Sequence, residues 1–127
     1  MPTIFDKIIA GEIPCHKVWE DEHHLAFLDI NPVCDGHTLV LPKNGVDYIF
    51  DLEAENHKAL WDASRKVAEK LKEKLKCERV VIAVYGFEVP HAHVHLMPAS
   101  AISDISFPAR SEQAKGDLER MADLLKP

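Results

Sequence analysis

The sequence predicts an α+β domain built on an antiparallel sheet. Three observations carry that reading. Short apolar runs bounded by turn residues crowd the first third of the chain, one long amphipathic stretch follows, and two more strand-like runs come after it. Strands grouped on either side of one helix, rather than strictly alternating with helices, fit an antiparallel sheet with the helix on one face.

Residues 4–10 read as a short helix, because Ile4, Phe5, Ile8 and Ile9 share a face and Gly11 stands at the stop. Residues 16–19 and 24–30 read as strands joined by the polar turn Glu20-Asp21-Glu22-His23, and Asn31-Pro32 ends the second. Asp35-Gly36 makes another turn, after which 37–41 forms a third strand stopped by Pro42. Residues 54–75 carry the strongest helical signal: Leu60, Val67, Ala68, Leu71 and Leu75 fall on one stripe. Charges of alternating sign cover the rest of that helix and read as a solvated face with i,i+4 pairs. The β-branched run in 79–85 predicts a buried strand, 91–98 a last strand, and 111–125 a final helix carrying Leu118, Met121, Leu124 and Leu125.

The 127 residues fit a single domain spanning 1–127, with no repeat or linker. Apolar and charged contents of 46% and 28% are ordinary for a globular protein. A net charge of −6 opposes non-specific binding to nucleic acid, which needs many basic contacts, but leaves room for one phosphate in a local pocket. No run approaches the ~18 apolar residues of a membrane helix, and the N-terminus lacks a signal peptide's basic start and apolar stretch. A cytoplasmic protein with no membrane partner is the expectation. Cys15, Cys34 and Cys77 are widely spaced and read as free thiols that fill space.

The informative segment is His91-Ala92-His93-Val94-His95-Leu96-Met97. Alternate residues of a strand share a face, so the three imidazoles line up roughly 6–7 Å apart while Ala92, Val94 and Leu96 turn to a core. Neighbouring imidazoles disfavour one another's protonation and titrate as a set near neutral pH, which suits proton transfer. Two chemistries fit. The histidines could ligate a metal that activates water, although Glu88 and Asp104 are the only carboxylates near them in sequence to support such ligands. Alternatively one imidazole is a nucleophile and the others orient it and protonate a leaving group. His37, after the Asp35-Gly36 turn, is a fourth candidate, placed where a turn meets a strand. His16, His23, His24 and His57 read as surface residues.

The segment matches the motif His-φ-His-φ-His-φ-φ (φ apolar), and here the chain resembles the histidine triad (HIT) family. The stretches 4–14, 27–32 and 36–43 are similar, in order and spacing, to the family's Hint-like branch, whose members are nucleoside phosphoramidases; coverage is about 4–99, leaving 100–127 as an extension. The resemblance implies a five-stranded antiparallel sheet with a long central helix and a short N-terminal one, in a homodimer whose sheets join. It implies hydrolysis of a nucleoside 5′-phosphoramidate or related AMP-type purine nucleotide through a nucleotidyl-histidine, without cofactor or metal. His93 would be the nucleophile, its other nitrogen held by a backbone carbonyl; His95 would contact the phosphoryl oxygens and help protonate the leaving group; His91 and His37 would support them. Asp29 would accept from the ribose hydroxyls. Ile4, Phe5, Ile8, Ile13, Phe27 and Ile30 would line the base pocket, with Glu88 and Val89 also in contact with the nucleotide. A dinucleoside polyphosphate hydrolase or nucleotidyl transferase, or a non-catalytic nucleotide- or partner-binding module, are the alternatives.

Three departures stand out. The loop before the triad is short, and Phe87 replaces a glutamine that would face the phosphate or leaving group, with Glu88 beside it. Thr3, Asp6 and Gly45 occupy places where some bacterial relatives carry two cysteines and a histidine for structural zinc, so no such zinc is expected. The tail after Ser100 lies outside the stretches that carry the resemblance.

Overall fold

The structure, a computed structural model, describes residues 2–105 and 108–127. Helix α1 spans Ile4–Ile9. Its N-terminus is closed by a reciprocal capping box: the Asp6 N–H donates to Thr3 Oγ1 at 3.1 Å and the Thr3 N–H to Asp6 Oδ2 at 2.8 Å. Gly11, at φ +81°, supplies the left-handed turn that stops it.

Strands β1 (Lys17–Glu20), β2 (His24–Leu28), β3 (Thr38–Pro42), β4 (Arg79–Ala83) and β5 (Val94–Ala99) form one antiparallel sheet in the order β1-β2-β3-β5-β4. Helix α2 (Ala54–Leu75) lies on one face and ends at Lys76, whose φ of 56° and N–H bond to the Lys72 carbonyl close the last turn. Leu60, Ala63, Val67 and Leu71 pack against Ala26, Val40, Val94 and Leu96 to form the main core. Each large side chain so buried contributes about 1.5–3 kcal/mol. Leu75, expected on that stripe, is 45% exposed but lies against Gly36, where any Cβ would overlap its Cδ1.

The opposite face carries a second cluster, Phe5, Leu25, Phe27, Leu39 and Leu41, roofed by α1. A third, Met97, Ala99 and Ile105, sits beside it. The sheet face under α1 is thus half core and half open. Among the described residues no helix is long and apolar enough to cross a membrane.

Several expectations need correction. The last strand begins at Val94, not 91: the Ala92 N–H donates to the Val46 carbonyl at 2.6 Å, a loop partner rather than a sheet ladder. The strand expected over 24–30 ends at Leu28, because the Asp29 side chain turns the chain by accepting from the Asn31 N–H at 2.8 Å. The strand expected over 79–85 ends at Ala83. The helix expected over 111–125 is broken at Gly116-Asp117 into α3 (Glu112–Lys115) and α4 (Leu118–Leu125), and neither buries a residue. His24 is not a surface residue. It is 5% exposed, with its backbone N–H and Nδ1 at 2.7 and 3.0 Å from Asp21 Oδ1. His57 is half-buried and accepts from Trp61 Nε1 at 3.0 Å. The three cysteines are unpaired and half-buried.

Candidate active site

The open half of that face holds a cleft of about 660 Å³, walled by α1, the 27–33 segment and the 85–89 segment. His37, His93 and His95 stand at its floor. Asp29, Glu88 and Val89 line it, as do Ile4, Phe5, Ile8, Ile13, Phe27 and Ile30. One expected site residue, His91, is absent from the wall: it is 1% exposed and lies behind the site.

The tautomers follow from what each nitrogen faces. His93 Nδ1 is 2.7 Å from the His91 carbonyl, which can only accept, so Nδ1 carries the proton and Nε2 keeps its lone pair. The ring stands edge-on to Phe5, centroids 4.9 Å apart at 87°. Burial holds its pKa below the usual histidine value, partly opposed by the His91 carbonyl. On His37, Nδ1 accepts from the Val33 N–H at 3.2 Å, which leaves the proton on Nε2. That nitrogen lies 2.9 Å from His95 Nδ1 and 3.5 Å from Asp29 Oδ2. His95 Nδ1 is therefore an acceptor, and His95 Nε2 carries a proton. Burial, then the neighbouring His93 and His37, push His95 down to about 4, while burial lowers His37 against the field of Asp29. The His93 and His95 rings are 5.0 Å apart. A nitrogen lone pair and an N–H donor thus sit side by side on one floor.

His91 acts through its backbone. Its Nε2 donates to the Pro42 carbonyl at 2.7 Å, which locks the ring. Its Nδ1 has no hydrogen-bond partner among the described residues. Asp6 Oδ1 is 3.6 Å away, and a Cβ on Gly45 would come within 2.9 Å. The positions flagged by the zinc-binding relatives do converge here, but a tetrahedral zinc needs four donors. Asp6 and His91 offer two, and Thr3 Oγ1 is spent on the helix cap.

Asp29, His37 and His95 present ligand atoms within 4.8 Å of one another and are the one group placed to hold a metal among the described residues. The Val33 N–H argues against it: with Nδ1 of His37 accepting, Nε2 is protonated and has no lone pair for a metal.

Sequence reasoning missed three contributors. Tyr85 stands edge-on to His95, centroids 4.9 Å apart; the β-branched run pointed to a strand, and nothing marked where its end would meet the triad. Val33 contributes a backbone N–H, which leaves no side-chain signal. Gly45 matters through the Cβ it lacks.

The comparisons agree with this architecture. The HIT domain family model matches residues 10–102. The Bacillus subtilis "Protein hit" is 40% identical over 102 residues, covering 75% of this chain and 69% of that one. A crystal structure of a HIT family member from Bacillus subtilis superposes with a TM-score of 0.83 at 32% identity, covering 98% of this chain and 95% of that chain. A HIT family hydrolase from Legionella pneumophila gives a TM-score of 0.71 at 28% identity, covering 84% and 98%. With the sheet, the floor of histidines and these relatives in agreement, the chain belongs to the histidine triad (HIT) family, whose members are generally nucleotide hydrolases or transferases.

Proposed function

We propose that this chain is a cytoplasmic, homodimeric hydrolase of purine nucleoside 5′-phosphoramidates and related AMP-type nucleotides, of the Hint-like kind. The carrying observation is the 2.7 Å bond from His93 Nδ1 to the His91 carbonyl, which commits the Nε2 lone pair to the cleft. A neutral imidazole attacks phosphorus without first losing a proton. His93 Nε2 forms the new N–P bond as the bond from phosphorus to the leaving amine breaks. The anionic phosphoryl group bound beside His95 favours its protonated form, which gives a proton to the leaving amine and returns to the neutral ring, while His37, 2.9 Å from its Nδ1, positions it. Water then attacks the nucleotidyl-histidine, returns a proton to the array and releases the nucleoside monophosphate. General acid assistance of this kind contributes about 10²–10⁴-fold. Asp29 would take the ribose hydroxyls, and Ile4, Phe5, Ile8, Ile13, Phe27 and Ile30 the base.

The test is AMP release from adenosine 5′-phosphoramidate with and without a strong chelator. Chelator-resistant release is expected, and His93→Ala should lower it by about 10⁴-fold or more while AMP affinity stays within about tenfold. Turnover retained in that variant would sink the nucleophile assignment. Release abolished by the chelator would favour metal chemistry instead.

A further inference from the structure

The cleft that would receive a phosphoryl group has an unusual charge inventory. Among the described residues lining it, none is Lys or Arg, and two are carboxylates, Asp29 and Glu88. Its three histidines are all held below the usual imidazole value by burial, so they do not supply standing positive charge at neutral pH. The two carboxylates are not equivalent. Asp29 is engaged, accepting from the Asn31 N–H at 2.8 Å and facing His37 Nε2 at 3.5 Å. Glu88 lies on the opposite wall segment, exposed, in no hydrogen bond or ion pair within the described residues. Its negative charge nonetheless reaches His93, whose protonated form it favours. An unpaired carboxylate therefore lines the cleft whose floor carries the reacting histidines.

We infer that Glu88 selects the leaving group, admitting nucleotidyl amides whose phosphoryl group bears one negative charge and whose leaving amine carries a positively charged substituent. This rests on the hydrolase reading above and narrows its substrate class. The field argument is direct: a polyphosphate chain of several negative charges would meet two carboxylates and no compensating cation, whereas a zwitterionic amide places its cation against Glu88 and its single anion at the His95 N–H donor. Pairing at such an exposed site is worth about a 2- to 5-fold preference.

Three adenosine 5′-phosphoramidates of matched length separate the possibilities: N-linked 2-aminoethyl (cationic), propyl (neutral) and 2-carboxyethyl (anionic). The expected order of kcat/KM is cationic, then neutral, then anionic, with about 2- to 5-fold between the first two and the preference shrinking at high salt. Glu88→Gln should compress the series, and Glu88→Lys should invert it. Equal kcat/KM for all three in the unaltered protein, or an order that survives Glu88→Lys, would overturn the assignment while leaving the hydrolase intact. Absence of turnover with all three would overturn the hydrolase reading and this one with it. Circular dichroism of both variants checks that the exposed substitutions leave the fold in place.

Discussion

His91 shows how a buried residue can serve a site it does not line. Its carbonyl fixes the His93 tautomer, and its own ring is fixed by Pro42 on one side and by the close approach of Gly45 on the other. Any side chain at 45 would place a Cβ 2.9 Å from Nδ1 and 3.0 Å from Cε1 of His91. The ring is already 1% exposed and has nowhere to retreat. Gly45→Ala should therefore cost about 1–3 kcal/mol of stability through overpacking. It should also lower phosphoramidate turnover by about 10- to 100-fold by shifting the carbonyl that orients His93. Urea unfolding and steady-state kinetics check the two effects; unchanged kcat/KM with lost stability would mean that the carbonyl tolerates the shift. The alternation of histidines was legible in the sequence because a strand's period is fixed. That the first of them faces Asp6 and Gly45 rather than the cleft was not, because it depends on loop contacts distant in the chain.

The sheet face under α1 concentrates three histidines whose folded-state pKa values lie below the usual 6.5, His95 reaching about 4. Bases of this kind take up protons more readily when the chain is unfolded. Their contribution to stability is complete above about pH 6.5 and declines as the unfolded chain protonates; that of His95 is lost by the time its folded ring titrates near pH 4. The depressed carboxylates work lower down: Glu20, drawn to about 2 by Lys17 and Lys43, loses its contribution between 4.5 and 2. The window from pH 6.5 to 4.5 thus belongs to the histidine face. Midpoints of urea unfolding should fall steadily across it, and His95→Asn should flatten the slope; a flat profile in the unaltered protein would mean these rings are solvated well enough to protonate in place. At this scale the sequence marked every strand, and helices α1 and α2, within a few residues. It misplaced the ends where a side chain or loop carbonyl diverts the backbone, as at Asp29 and Ala92. It also joined α3 to α4 across Gly116-Asp117, since an apolar period alone does not register a break that no packing bridges.

In the whole molecule, the strand order leaves β1 and β4 at the sheet's edges, and they are defended unequally. On β1 the register is interrupted between Lys17 and Trp19, the Val18 carbonyl accepts from Lys70 Nζ at 2.7 Å, and Glu20 pairs with Lys17 and Lys43. These are the usual devices against edge-to-edge pairing. On β4 the register with β5 runs unbroken from Arg79 to Ala83, Ile82 is 44% exposed on the α2 side, and no lysine or proline interrupts the strand. An open apolar edge of that kind is where a second copy would extend the sheet, which supports the proposed homodimer. Ile82→Lys adds a charge at that edge without touching the cleft, whose wall does not include Ile82. Sedimentation at micromolar concentration should show a dimer for the unaltered protein and at least about a tenfold weaker association for Ile82→Lys. A monomeric unaltered chain, or a variant that associates equally well, would remove β4 as the interface. The histidine floor is built from one chain, so AMP affinity should persist in the monomeric variant; its loss would mean the second copy completes the site.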